Sequence, residues 1–317
     1  MHLFDMDDDT PHAASGPGTD SELELAMAEL LKADTDGKRF AAALRRSFDM
    51  LLDGQHTGRF RWEELYKTEK THCGTVVEIN LQREFDFAGG TDLDYRIAGT
   101  DVDCKYSQQM GGWMIPPEAV GKLCLILWAN DKQGKWCAGL VRALPEHLNE
   151  GSNRDSKKTL NKAGRSTVRW LFKDAPLPEN VLLRLPARDI EAIFSPSSGQ
   201  TRVNELFRRA QGKLISRNAV ATVAQQEDYM KRVRNNQGAR GRLREEGIII
   251  LGQYRKHTAI AEELGLPVPG RGEFTSGRVV RVPEGSSRSC CSVIDGQRWA
   301  LASENDPVEP APELPRV

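Results

Sequence analysis

Apolar positions recur at helical spacing over residues 21–53. Leu23, Met27, Leu30 and Leu31 come first, then Phe40, Ala43, Leu44, Phe48 and Leu51, which predicts amphipathic helix. Residues 54–58 read as a turn and 63–70 as a loop or short helix. Residues 74–85 read as a helix through Val77, Leu81 and Phe85. The period then changes from 3.6 to 2. Leu93, Tyr95 and Ile97 alternate with Asp94 and Arg96, and Val102, Cys104 and Tyr106 alternate with Asp101, Asp103 and Lys105. Gly99-Thr100 suits a two-residue hairpin turn with glycine first, a register that sets Asp94 opposite Lys105 and Arg96 opposite Asp103. Residues 122–129 are almost continuously apolar, as in a strand buried on both faces. Residues 136–143 are a second strand, and 155–172 read as helix.

After this the character of the chain changes. Residues 173–180, with two prolines, read as a linker. Beyond it come short helices near 188–194, 202–210 and 217–225, a further one at 229–234, and strands at 247–254, 277–282, 291–294 and 298–302. Short helices followed by a small sheet suggest a helix-turn-helix with a wing. The expected layout is therefore an acidic disordered tail (1–20), a mixed-sheet domain flanked by helices (21–172), the linker (173–180), a winged domain (181–310) and a second disordered tail (311–317). The fold class is mixed α/β.

The hairpin pattern has a chemical meaning. It brings the carboxylates of Asp94 and Asp103 and the amine of Lys105 to one polar face. Two carboxylates in reach of each other repel unless a hard cation lies between them, and Mg²⁺ is held by one or two carboxylates together with water and phosphate oxygens. The main-chain carbonyl of Cys104, next along the strand, is a further ligand candidate, and Glu78 on the preceding helix offers a third carboxylate. A lysine beside such a pair stabilises negative charge developing on a phosphate. Spacing alone also fits a solvated hairpin face laced with charge pairs. Cys104 points away from Lys105 and reads as a core residue. His72 is a surface histidine or a phosphate contact, and Trp113 and Met114 are core or dimer contacts.

Composition is ordinary: 317 residues, 39% hydrophobic and 28% charged, which is ample for one to three domains. No stretch has the length and apolarity of a membrane span, no leader pattern opens the chain, and no C-x-x-C pair occurs among the six cysteines, so neither a membrane protein nor a zinc protein is expected. Net charge is −1, yet its distribution is uneven. Between Arg202 and Arg244 eleven basic residues face three acidic ones. That local excess is the footprint of a surface for nucleic acid or of a solvated helical face. Lys231, Arg232, Arg234, Arg217, Arg240 and Arg242 are the DNA-binding candidates.

Longer motifs go beyond pattern. Asp53-Gly54-Gln55, the run from Lys67 through Thr68 and Glu78 to Asn80, the run from Asp94 to Gly99, and Val102-Asp103-Cys104-Lys105 resemble the NaeI restriction endonucleases. So do the runs Trp113 to Glu118, Arg202 to Arg209, Ala221 to Gln226, Met230 to Arg234 and Glu246 to Gly252, in the same order from about Ala41 to Pro310. The resemblance implies a bacterial, cytoplasmic homodimer. Its first domain is an endonuclease core and its second a catabolite-activator-like domain with a helix-turn-helix. It also implies Mg²⁺-dependent cleavage of double-stranded DNA at a GC-rich palindrome, stimulated by a second DNA segment. Carried over by motif, Asp94 and Asp103 are the metal carboxylates, Lys105 is the catalytic lysine, and Glu78 and Thr68 are supporting positions. Thr68 otherwise reads equally as a cap of its turn. Two other classes stay open from the residues alone: a DNA-binding regulator that does not cut, and a nicking and rejoining enzyme, for which Tyr229 is the tyrosine to watch.

Overall fold

The computed structural model describes residues 20–283 and 288–315; the expected disordered tails fall on residues 1–19 and 316–317, outside the described residues, only in part. Asp20, counted with the first tail, accepts a hydrogen bond from Leu23 N–H and so caps the first helix. Residues 311–315, counted with the second, begin with buried Ala311, which exchanges hydrogen bonds with Arg244.

The first half carries helices α1 (Ser21–Ala33), α2 (Lys38–Leu52), the single turn α3 (Gly54–Thr57), α4 (Lys67–Phe85) and the short α5 (Lys162–Ser166). Its sheet runs β1 (Ala88–Gly89), β2 (Tyr95–Ile97), β3 (Thr100–Ser107), β4 (Leu123–Asn130), β5 (Lys135–Arg142) and β6 (Arg169–Pro176), in that spatial order. Only β3 and β4 are parallel, so the sheet is mixed. The helical periodicity of 21–53 is the face buried here: Leu23, Met27, Leu30, Phe40, Leu44, Phe48 and Leu51 all pack into one core with Tyr95, Ile97, Val102 and Cys104. Leu31 is the exception and is exposed. The other sheet face is covered by loops through Trp113, Ile115 and Leu160 against Cys124, Ile126 and Trp128.

Three expectations need correction here. First, the hairpin turns at Ala98-Gly99, with Ile97 paired to Thr100 and Tyr95 to Val102. Both turn residues have positive φ (+49° and +83°), the type I′ geometry whose twist matches that of the strands. The turn therefore lies one residue before Gly99-Thr100 and the pairing shifts by two, which keeps the faces: Arg96 pairs with Asp101 instead of Asp103, and Asp94 comes opposite Asp103 instead of Lys105. Second, 155–172 is not a helix. It is loop, then α5, then the start of β6. Leu160 and Val168 are buried from loops. Third, β6 extends to Pro176, so the expected linker begins inside the sheet, where Trp136 Nε1 donates to the Pro176 carbonyl at 3.1 Å.

The second half has α6 (Ala187–Phe194), α7 (Gly199–Arg209), β7 (Ile215–Ser216), α8 (Arg217–Ala224), the turn α9 (Ala239–Arg242), β8 (Ile248–Gly252), α10 (Arg255–Glu263), β9 (Glu273–Arg281), β10 (Cys291–Ile294) and β11 (Gln297–Leu301). β9 is the hub of the antiparallel sheet and pairs with β7, β8 and β11. Helix α10 is absent from the sequence-based expectation, because its nine residues bury only Ile260 and Ala261 as apolar anchors. Helices α6 to α8 enclose a separate core around Ile193, Val203, Leu206, Phe207, Val220 and Val223. Phe60 from the first half enters that core, and Asn180 donates to its carbonyl at 3.2 Å.

Candidate active site

The Ala98-Gly99 turn sets the geometry of the site. Asp94 lies one step before β2, and its Oδ2 accepts the Cys104 N–H at 2.7 Å, substituting for a ladder bond. Asp101 accepts the N–H groups of Thr91 and Asp92, which fixes the approach to Asp94. Along β3 the period of two sends Asp103 and Lys105 to one face and buries Cys104 on the other, as expected. Lys105 Nζ lies 2.8 Å from Asp103, 2.9 Å from the Cys104 carbonyl and 3.6 Å from Asp94. Three oxygens of different residues thus converge on one cationic atom.

Electrostatics follow from this crowding. Asp103 is 4% exposed, and burial pushes its carboxyl up to about 6 against the pull of Lys105. Burial lowers Lys105 in turn, but the Asp103 and Asp94 carboxylates outweigh it and hold the ammonium above its ordinary value. One Asp103 oxygen is buried without a hydrogen bond, although Nζ is within 2.8 Å of it at an angle that favours the other oxygen. Glu78, in α4, is raised by burial first and by Asp94 next, so its carboxylate belongs to the same field. Tyr95 ties the two elements: its hydroxyl donates to the Glu78 carbonyl at 2.8 Å. Sequence reasoning gave Tyr95 no role beyond the buried face, and the alternation that buried it was the available signal.

Asp94, Asp103, Lys105, the Cys104 carbonyl and Glu78 therefore come together. Thr68 does not. It sits exposed in the first turn of α4, ten residues before Glu78, a separation of about 15 Å along a helix. It lines a groove with Arg59, Glu69 and His72 instead. Among the described residues no three His, Cys, Asp or Glu side chains form a ready metal cluster, so the donor set is a carboxylate pair plus a carbonyl. These are hard oxygen donors with excess negative charge, and they fit a divalent cation of the Mg²⁺ kind.

The basic stripe resolves into two groups. Three of its arginines are spent internally. Arg202 donates to the Val223 and Ala224 carbonyls, Arg208 pairs with Glu246 and Glu205, and Arg209 pairs with Asp189. Among the six candidates, Lys231 and Arg232 pair with Asp228, and Arg242 donates to the Gln237 carbonyl. Arg217, Arg234 and Arg240 are brought together around a cavity of about 290 Å³ with Gly252, Gln253 and Tyr254. Arg240 is half-buried there and donates to the Ile250 carbonyl, leaving Arg217 and Arg234 exposed. Tyr229 packs against the α6–α8 core, and Trp113 is buried with its indole N–H on the Leu127 carbonyl.

The fold and site define a mixed α/β chain with a carboxylate–lysine site on its sheet. The chain belongs to the NaeI restriction endonuclease family: the family model described as "Restriction endonuclease NaeI" matches residues 24–310. It is 50% identical over 304 residues to the "Type II restriction enzyme NaeI" of Lentzea aerocolonigenes, covering 94% of this chain and 95% of that relative. It is accordingly a type II restriction endonuclease, a hydrolase that cuts DNA at specific sites. No helix among the described residues is long and apolar enough to cross a membrane.

Proposed function

We propose that the chain hydrolyses double-stranded DNA phosphodiesters with Mg²⁺ at the Asp94–Asp103–Lys105 site. The observation that carries this is the cradle around Lys105 Nζ: two carboxylates and the Cys104 carbonyl already surround a cation within 3.6 Å. Asp94, Asp103 and that carbonyl are the groups that would hold Mg²⁺, which when bound supplies polarisation of the scissile phosphate and a more acidic water. Lys105 neutralises the charge that grows on the phosphate. Glu78 orients the attacking water, and Tyr95, through the Glu78 backbone, fixes that carboxylate relative to the hairpin. Incubating supercoiled plasmid with the protein in Mg²⁺ or in EDTA tests the proposal. Discrete fragments in Mg²⁺ alone are expected, and equal cutting in EDTA overturns it.

The same proposal extends to a homodimer of two-domain chains, divided near residues 173–180, that cuts a GC-rich palindrome and holds a second DNA segment as effector. A palindrome favours two-fold protein symmetry, because each active site serves one strand. The second half supports this by offering Arg217 and Arg234 on one cavity, but not through an ordinary recognition helix. Residues 219–224 of α8 are all buried, so only its N-terminal end, at Arg217, faces outward. A winged helix-turn-helix would therefore bind through the start of α8 and the neighbouring Arg234. Short uncleavable duplexes titrated into a one-site plasmid digest should stimulate cutting at intermediate concentration. Indifference to them, or a monomer by sedimentation at working concentration, removes the two-segment homodimer.

A further inference from the structure

The catalytic strand does not stop at Lys105. β3 continues to Ser107, and positions 103, 105 and 107 alternate onto the same sheet face, opposite Cys124, Ile126 and Trp128 of β4. The strand then runs into a turn fixed from within. Ser107 Oγ donates to the Gln109 carbonyl at 2.7 Å and accepts the Gln109 N–H at 3.1 Å. Gly112 N–H donates to that same carbonyl at 2.9 Å. Glycine is needed here, since Gly111 has φ +82° and a Cβ on Gly112 would lie 2.9 Å from Ser107 Oγ.

The two glutamines of this turn differ. Gln108 is committed inward: its Oε1 accepts the Tyr106 hydroxyl at 2.6 Å and its carbonyl accepts the Trp128 indole N–H at 3.0 Å. Gln109 has its backbone fixed by three hydrogen bonds, while its side chain is exposed and no described residue bonds its amide. Arg165, from α5, lies against the turn, its Cδ 3.2 Å from where a Cβ on Gly111 would sit. One of its nitrogens donates to the Leu160 carbonyl at 3.0 Å, and the residue is otherwise exposed. A rigid turn thus presents a free amide beside a guanidinium.

Gln109 is four residues from Lys105, at most about 13 Å along the chain. A phosphate held at Lys105 leaves the turn within reach of base edges, because the major groove is about 12 Å wide and 8.5 Å deep. An amide offers both donor and acceptor, and a guanidinium matches the two acceptors of a guanine edge. We propose that Gln109 and Arg165 are specificity-determining residues that read base edges of the cleaved site in the major groove. This rests on the nuclease function proposed above. The Gln109 amide has no partner among the described residues, and Arg165, which commits one nitrogen to the Leu160 carbonyl, lies against the same turn at Gly111.

The test is digestion of a duplex library, randomised around the wild-type site, by full-length protein in Mg²⁺, with the cut ends sequenced. Gln109→Ala and Arg165→Lys are compared with wild type, and the second keeps the charge while losing the fork. Each variant should lose about 10- to 100-fold in cutting of the wild-type site and gain tolerance at one symmetric pair of positions. The melting temperature should stay unchanged. Wild-type site preference retained by both variants, or an equal loss at every sequence, overturns the assignment. A wild-type protein that cuts nothing overturns the nuclease proposal itself, so the two failures are distinct.

Discussion

Replacing Ala98 by Asn reports directly on how the site hairpin is built. Ala98 has φ +49° and Gly99 +83°, so both occupy the left-handed region. That conformation costs an L-alanine about 1–2 kcal/mol, and Asn tolerates it far better. Ala98→Asn should therefore stabilise the chain by about 1 kcal/mol. Gly99→Ala isolates the backbone cost from packing, because a Cβ there would meet no atom within 4 Å. It should destabilise by about 1 kcal/mol. The signs discriminate registers. If the turn were Gly99-Thr100, Ala98 would be a strand residue, and Asn, a poor strand former, would destabilise it. Urea unfolding followed by tryptophan fluorescence is the assay, since Trp62, Trp113, Trp128, Trp136 and Trp170 all lie in the first half. A lower midpoint for Ala98→Asn, or no change for Gly99→Ala, refutes the Ala98-Gly99 turn.

Other predictions concern the core, pH and DNA. Arg45 is half-buried between Asp49 and Asp131, at 2.9 and 2.6 Å, so Arg45→Met should cost about 3 kcal/mol by leaving the buried Asp131 carboxylate without its cation. Thermal unfolding checks this, and a loss below about 1 kcal/mol would falsify the buried pairing. His257 is 2% exposed, and burial, with Arg240 nearby, pulls it down to about 4 from 6.5. The unfolded chain takes the proton first as pH falls, so stability should be complete above about pH 6.5 and drop toward pH 4, by at most about 3 kcal/mol. His257→Gln should flatten that limb, and an unchanged pH profile of unfolding contradicts the buried neutral imidazole. Arg217→Ala with Arg234→Ala should reduce the salt slope of DNA binding by about one for each lost phosphate contact, while Lys231→Ala should leave it nearly unchanged. Equal effects from both would mean the Asp228 pairing does not hold in solution.

The sequence showed the site more fully than the fold around it. Asp94, Asp103 and Lys105 were legible because period-two alternation constrains which side chains share a face, and that survives a one-residue error in the turn. The error arose because glycine first in a two-residue turn is a strong signal, whereas an alanine at positive φ gives none. Residues 155–172 misled for the opposite reason: loop residues that cover a sheet face can mimic helical spacing. The basic stripe was read from local counts, but Asp189 and Glu246 lie outside the counted window and neutralise Arg209 and Arg208 only in three dimensions. Thr68 came from motif likeness and not from spacing, and helix α4 carries it away from Glu78.

The most direct measurement is plasmid cleavage by Asp103→Asn beside wild type in Mg²⁺, with DNA affinity measured on the same preparations. The amide keeps the shape and removes the charge from the most buried oxygen pair of the site. The expected result is a rate loss of at least about 10³-fold with affinity within a few-fold of wild type. Near-normal cutting by Asp103→Asn would contradict the assignment of the Asp94–Asp103–Lys105 face as the catalytic centre.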